Sequence, residues 1–213
     1  MNRLRGIRYI LFDLDGVLVD ACEWHYESLN RALDKICNFT INREDHEKDF
    51  NGLPTKKKLE ILNSRDLVEE KDFQKIWNFK QKITVDVIGE NAKPDREKID
   101  LHRQLDSLGI QTACVTNSIT ETAELMLTLT KQKAYLNFVI TNEDVVTPKP
   151  DPEGYQAAMK RLGSSPGETL IIEDSEKGYL AAIETGARVL RVKNATEVTF
   201  ENICQFLDPG VDQ

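Results

Sequence analysis

The chain has 213 residues, 40% hydrophobic and 30% charged, an ordinary balance for a globular protein with room for one domain and an insertion. Its formal charge of −8 argues against a nucleic-acid partner, and no apolar run approaches the roughly 20 residues that a membrane span requires. The four cysteines, Cys22, Cys37, Cys114 and Cys204, show no CxxC or Cys/His ligand spacing, so they read as reduced thiols of a cytoplasmic protein.

The chain opens with "MNRLRGIRYILFDLDG", in which basic residues precede an apolar run that two aspartates cut short. That pattern lacks the core and cleavage site of a secretion signal. It reads instead as a buried strand over 7–13, continuous rather than alternating in its apolar residues. Asp13 and Asp15 fall at the strand's carboxyl end, and Gly16 lets the chain turn sharply. Carboxylates there are either solvated loop residues or the holders of a cation, because burying them unpaired is costly.

Three amphipathic helices follow, over 24–36, 55–65 and 69–83. In the first, Trp24, Leu29, Ala32, Leu33 and Ile36 share one face. A crossover needs only one helix, so several imply an inserted helical domain over 20–92. The segment 94–109 then forms the crossover helix that returns to the sheet. From there strands and helices alternate. Strands are expected over 110–116, 137–141, 169–174 and 188–192, and helices over 121–132, 152–162 and 176–186. Asp151 is the expected N-cap of the second of these helices, with Pro152 at its first position and Gly163 just past its end. Ser175 is the expected N-cap of the third. The tail from 194 to 213 has one further helical stretch, "VTFENICQFL". The expected fold is α/β: a Rossmann-like doubly wound parallel sheet core from 1–19 and 93–213, with the 20–92 helical domain inserted.

The polar residues collect where strands end. The first delivers Asp13 and Asp15, and the second Thr116, Asn117 and Ser118. Lys149 follows the third, and Glu173 and Asp174 close the fourth. In open α/β sheets ligands bind beyond the carboxyl ends of the strands, so these segments converge. Carboxylates without nearby histidine or cysteine suit a hard cation such as Mg²⁺, which shares its shell with water and substrate phosphate. Lys149, the Thr116 hydroxyl and the Asn117 backbone N–H can then meet the phosphate. A carboxylate close to phosphorus can attack it, and a second can shuttle the proton.

In order and spacing, "DLDGV", "VTNS", "KP" and "EDS" resemble the four motifs of the haloacid dehalogenase superfamily, in its capped phosphatase branch. The likeness extends to β-phosphoglucomutase and phosphoglycolate phosphatase-like members and covers nearly the whole chain. The resemblance implies that Asp13 is the nucleophile and Asp15 the acid/base. It also implies that Thr116 and Lys149 bind the phosphoryl group. Mg²⁺ would be held by Asp13, Asp174 and the Asp15 backbone carbonyl, with Glu173 as a ligand or a support for one. Asp15 together with Glu173 and Asp174 argues against dehalogenation itself.

In the inserted domain, "DACEWHYESL" and "NGLPTKKKLE" resemble the cap segments of the β-phosphoglucomutase-like subgroup. His25 is therefore a substrate contact or a packing residue. Mutases of that subgroup carry an arginine where this chain has Thr55; Lys56 is the candidate substitute, while the lysine run reads otherwise as a solvated helix face. The leading expectation is a monomeric Mg²⁺-dependent phosphatase acting on a small phosphomonoester, a sugar phosphate or a phosphoglycolate-like acid, through an aspartyl-phosphate. A phosphomutase and a non-catalytic phosphate-binding regulatory protein are the alternatives.

Overall fold

Uninterrupted apolar runs can lie only where both faces of a strand are covered, and the runs at 9–12 and 170–172 are buried along their whole length. The computed structural model describes residues 4–208. Among them, β1 (Tyr9–Phe12), β2 (Gln111–Val115), β3 (Val139–Ile140), β4 (Thr169–Glu173) and β5 (Arg188–Arg191) form one sheet in the order β3-β2-β1-β4-β5. Every pairing is parallel. Phe12 lies opposite Cys114 on one side and Ile172 on the other. One residue further, Asp13 N–H still reaches the Ile172 carbonyl at 3.0 Å, which brings Asp13 level with the ends of β2 and β4. The register thus sets three polar strand ends side by side.

Between β1 and β2 come α1 (Cys22–Cys37), a single turn α2 (Arg43–Asp45), a π-helical stretch His46–Phe50, α3 (Thr55–Ser64) and α4 (Phe73–Asn91). The chain divides into two compact units: one runs up to Asp20 and resumes at Lys93, and the other is Ala21–Ala92. The second unit has a core of its own. Leu29, Ala32 and Leu33 of α1 meet Phe50, Leu59 and Leu62, with Ile76 of α4. In the first unit, α5 (Arg96–Ser107) leads into β2, capped by Asp95, whose carboxylate accepts from Glu97 N–H at 2.9 Å. Then follow α6 (Thr120–Leu129), α7 (Glu153–Leu162), α8 (Glu176–Ile183) and α9 (Phe200–Leu207). Leu11 packs with Tyr155 and Ala158 of α7 and Ala181 of α8, whereas Phe12 meets His102 of α5 edge-on. Helices therefore cover both faces of the sheet.

Several expected boundaries shift. The helix expected over 69–83 begins at Phe73 after a 3-10 turn and runs on to Asn91, because Thr84, Val87 and Ile88 extend its buried face. Only Val139 and Ile140 of 137–141 form ladder pairs. Pro152 occupies the N-cap position of α7 rather than its first turn, while the Asp151 carboxylate accepts from Glu153 N–H at 2.9 Å. Gly163 ends α7 in the left-handed conformation as expected, at φ 66°. Ser175 caps α8, accepting from Gly178 N–H. The tail helix forms as Phe200–Leu207, and the rest of the tail from 209 lies outside the described residues. Lys56 and Lys57 are exposed as a solvated face requires, but Lys58 is buried. Among the described residues, no helix is long and apolar enough to cross a membrane.

Candidate active site

Asp13 sits one residue beyond β1 and is buried. Gly16, at φ 87°, folds the following segment back so that its N–H meets the Val19 carbonyl at 2.7 Å. That conformation is left-handed, which explains the glycine. Lys149 arrives from the loop after β3 and is 5% exposed. Its Nζ lies 2.7 Å from Asp13 Oδ1, 2.5 Å from Glu173 Oε1, 2.8 Å from the Val115 carbonyl and 2.9 Å from the Tyr155 hydroxyl. Tyr155, on α7, also donates its O–H to Glu173 Oε1. Three strand ends and one helix therefore close around a single ammonium.

Asp15 is held by the end of β2. Ser118 Oγ donates to Asp15 Oδ2 at 2.8 Å, and Thr116 Oγ1 stands 3.4 Å from the same oxygen. Thr116 Oγ1 in turn accepts from Ser118 N–H at 3.0 Å. Asn117 turns its side chain to the Lys149 backbone, accepting from the Lys149 N–H at 3.1 Å and donating to the Lys149 carbonyl at 3.1 Å. This two-way clasp fixes the loop that carries Lys149 to the end of β2. Tyr155, and Gly178, which lies against the Glu173 carboxylate, do not stand out in the sequence, where Ser118 enters only as part of the second strand end. Ser118 carries a sequence signal, its place directly after Thr116 and Asn117. Tyr155 reads in sequence as an ordinary apolar position of an amphipathic helix.

Oxygens of Asp13, Glu173 and Asp174 lie within 4.8 Å of one another. Burial, then the Glu173 carboxylate, raise the Asp13 carboxyl well above the usual carboxylate range, against the pull of Lys149. Burial acts against the Lys149 charge too, yet Asp13 and Glu173 outweigh it and raise the ammonium above its ordinary value. Asp13, Glu173 and Asp174 outnumber the Lys149 ammonium, and together they could hold a divalent cation. The donor set is all oxygen, which fits Mg²⁺.

In the Ala21–Ala92 unit, His25 Nδ1 lies 3.2 Å from the Nζ of buried Lys80. Thr55 is the first residue of α3, half-buried, and Lys56 beside it is exposed. His46 is buried against Tyr26, ring centroids 4.6 Å apart, and burial and then the Lys58 charge lower its pKa to about 4.

A family model described as haloacid dehalogenase-like hydrolase matches residues 10–192, most of the chain and all of the strand ends above. The chain belongs to the haloacid dehalogenase-like hydrolase family. Among curated members, it is 31% identical over 188 residues to the pyrophosphatase PpaX of Bacillus velezensis, covering 88% of this chain and 84% of that one. It is 28% identical over 181 residues to a phosphorylated carbohydrates phosphatase of Thermotoga maritima, covering 83% and 81%. Among solved structures of the same fold, β-phosphoglucomutase from Clostridium difficile superposes with TM-score 0.81 at 20% identity, covering 97% of this chain and 100% of that one. CbbY from Rhodobacter sphaeroides in complex with phosphate superposes with TM-score 0.78 at 22% identity, over 87% and 85%.

Proposed function

We propose that this family member is a Mg²⁺-dependent phosphatase of small phosphomonoesters that works through an aspartyl-phosphate on Asp13. The observation that carries the reading is the gathering of Asp13, Glu173 and Asp174 oxygens within 4.8 Å, with Lys149 Nζ 2.7 Å from Asp13. Asp13, Asp174, the Asp15 carbonyl and Glu173 would hold Mg²⁺. When bound, it supplies positive charge to the nucleophile and to the phosphoryl oxygens. An Asp13 oxygen attacks phosphorus, and the bond to the ester oxygen breaks as Asp15 gives its proton to the departing alkoxide. Asp15, now ionised, takes a proton from water as the water oxygen attacks the acyl phosphate. The Asp13–phosphorus bond breaks, inorganic phosphate leaves and both carboxyls return to their starting forms. Thr116, the Asn117 N–H and Lys149 bind the phosphoryl oxygens throughout.

The Ala21–Ala92 unit would select the leaving group, with His25, Thr55 and Lys56 as its candidate contacts. Thr55, where the mutases carry arginine, favours hydrolysis over transfer to a second hydroxyl. Identity with PpaX supports a second reading, in which inorganic pyrophosphate is the substrate. A cytoplasmic monomer is part of the proposal.

Phosphate release from sugar phosphates, phosphoglycolate and pyrophosphate tests both readings, with Mg²⁺ or EDTA present. Release that EDTA and Asp13→Asn both reduce to background is the expected outcome, and the preferred substrate separates the two readings. Isomer formation without phosphate release would mark a mutase. Equal signals from the wild-type chain and Asp13→Asn would leave a phosphate-binding protein without catalysis.

A further inference from the structure

An ammonium has three N–H donors and accepts nothing. Lys149 Nζ nevertheless has four acceptors within reach: Asp13 Oδ1, the Val115 carbonyl, the Tyr155 hydroxyl and Glu173 Oε1. Because the Tyr155 O–H donates to Glu173 Oε1, its oxygen keeps its lone pairs for Lys149. One N–H therefore faces Asp13, one the Val115 carbonyl, and one is shared between Tyr155 and Glu173. The Tyr155 ring also lies 4.7 Å from Nζ, centroid to nitrogen, which favours the cation.

Val115, Tyr155 and Glu173 are fixed on β2, α7 and β4 and do not change during the proposed reaction. Asp13 does change, since it loses its negative charge when its oxygen bonds to phosphorus. At that moment its hold on Lys149 weakens, and the Glu173 carboxylate competes for the ammonium with the phosphoryl oxygens that Asp13 now carries. The Tyr155 hydroxyl donates to the very oxygen of Glu173 that faces Lys149, which blunts that pull.

We propose that Tyr155 is a positioning residue whose hydroxyl keeps the Lys149 ammonium on Asp13 while the acyl phosphate forms and breaks. The inference rests on the phosphatase reading for its effect on rate, but its claim about Lys149 can be read without turnover.

Tyr155→Phe keeps the ring and its volume and removes only the hydroxyl. The expected result is a fall in kcat of about tenfold, the scale of one hydrogen bond among charged groups, with KM within about twofold. Manganese affinity of the substrate-free protein, read by electron paramagnetic resonance, should stay within about twofold of wild type. An unchanged kcat overturns the inference. So does a parallel fall in kcat, manganese affinity and melting temperature, which marks a general loss of structure. Crystal structures of Asp13→Asn with and without Tyr155→Phe decide independently, because the amide lacks the charge as the acyl phosphate does: Nζ displaced only in the double variant supports the inference, and Nζ in the same place in both overturns it. Should the wild-type chain hydrolyse nothing, the phosphatase reading falls while the crystal structures still report on Tyr155.

Discussion

In the proposed mechanism Asp15 is the proton shuttle, and it is oriented by neighbours just past the end of β2. The Ser118 hydroxyl donates to Asp15 Oδ2 at 2.8 Å, and in that mechanism the bond orients the carboxyl toward the leaving group. Ser118→Ala leaves Asp13, Lys149 and the acidic cluster untouched. A fall in kcat on the order of tenfold, with KM little changed, is expected from losing one hydrogen bond to a carboxylate. Steady-state kinetics check this, and an unchanged kcat would mean that Asp15 needs no help from Ser118. Asp13, Asp15, Lys149 and Asp174 were legible in the sequence because each stands where an apolar run stops or beside a proline turn. Tyr155 was not, because its hydroxyl acquires a task only when α7 lies beside β2 and β4.

The approach of α8 to β4 is set by one missing side chain. A Cβ built on Gly178 would fall 2.0 Å from Glu173 Oε1 and 2.1 Å from its carboxyl carbon. Glu173 has no room to retreat, being fully buried and tied to Lys149 and Tyr155. Gly178→Ala should therefore push α8 off the sheet or turn Glu173 away from Lys149. A loss of about 1–3 kcal/mol in stability is expected, the usual cost of overpacking, together with a marked loss of activity. Urea denaturation and an activity assay on the same sample check it, and wild-type values in both would show that α8 yields freely. At this scale the alternation of strands and helices was legible from apolar periodicity, and the start of α8 from Ser175. The π-helical stretch His46–Phe50 was not, because widening a helix by one residue per turn leaves no periodic signature in five residues. Nor was the burial of Lys58, since a run of three lysines reads as solvent-facing until α3 is given an orientation.

Stability of the whole molecule should depend on pH through a buried histidine that is not part of the acidic cluster. His102 on α5 is buried, with Nε2 3.1 Å from Gln132 Oε1 and its ring stacked on Tyr135. Burial lowers its pKa to about 4, below its value of about 6.5 in an unfolded chain. The unfolded state therefore takes up a proton first as pH falls. The stabilisation from keeping His102 neutral is complete above about pH 6.5. It is lost at about 1.4 kcal/mol per pH unit down to about pH 4. Denaturation midpoints at pH 7 and pH 5 should separate less in His102→Leu than in the wild-type chain, by about 2 kcal/mol in stability. An equal separation in both would assign the acid sensitivity elsewhere. The insertion between β1 and β2 has a further consequence, in time rather than in energy. Tyr9 finds its ladder partners at Gln111 and Thr169, far along the chain, whereas α1 meets α4 within Ala21–Ala92. Distant pairings form late because long loops must close first. As the chain leaves the ribosome, β1 emerges before both of its partners and should be among the last strands of the sheet to find its place. Pulsed deuterium labelling during refolding should therefore protect the amides of α1 and α4 before those of Ile10 and Leu11.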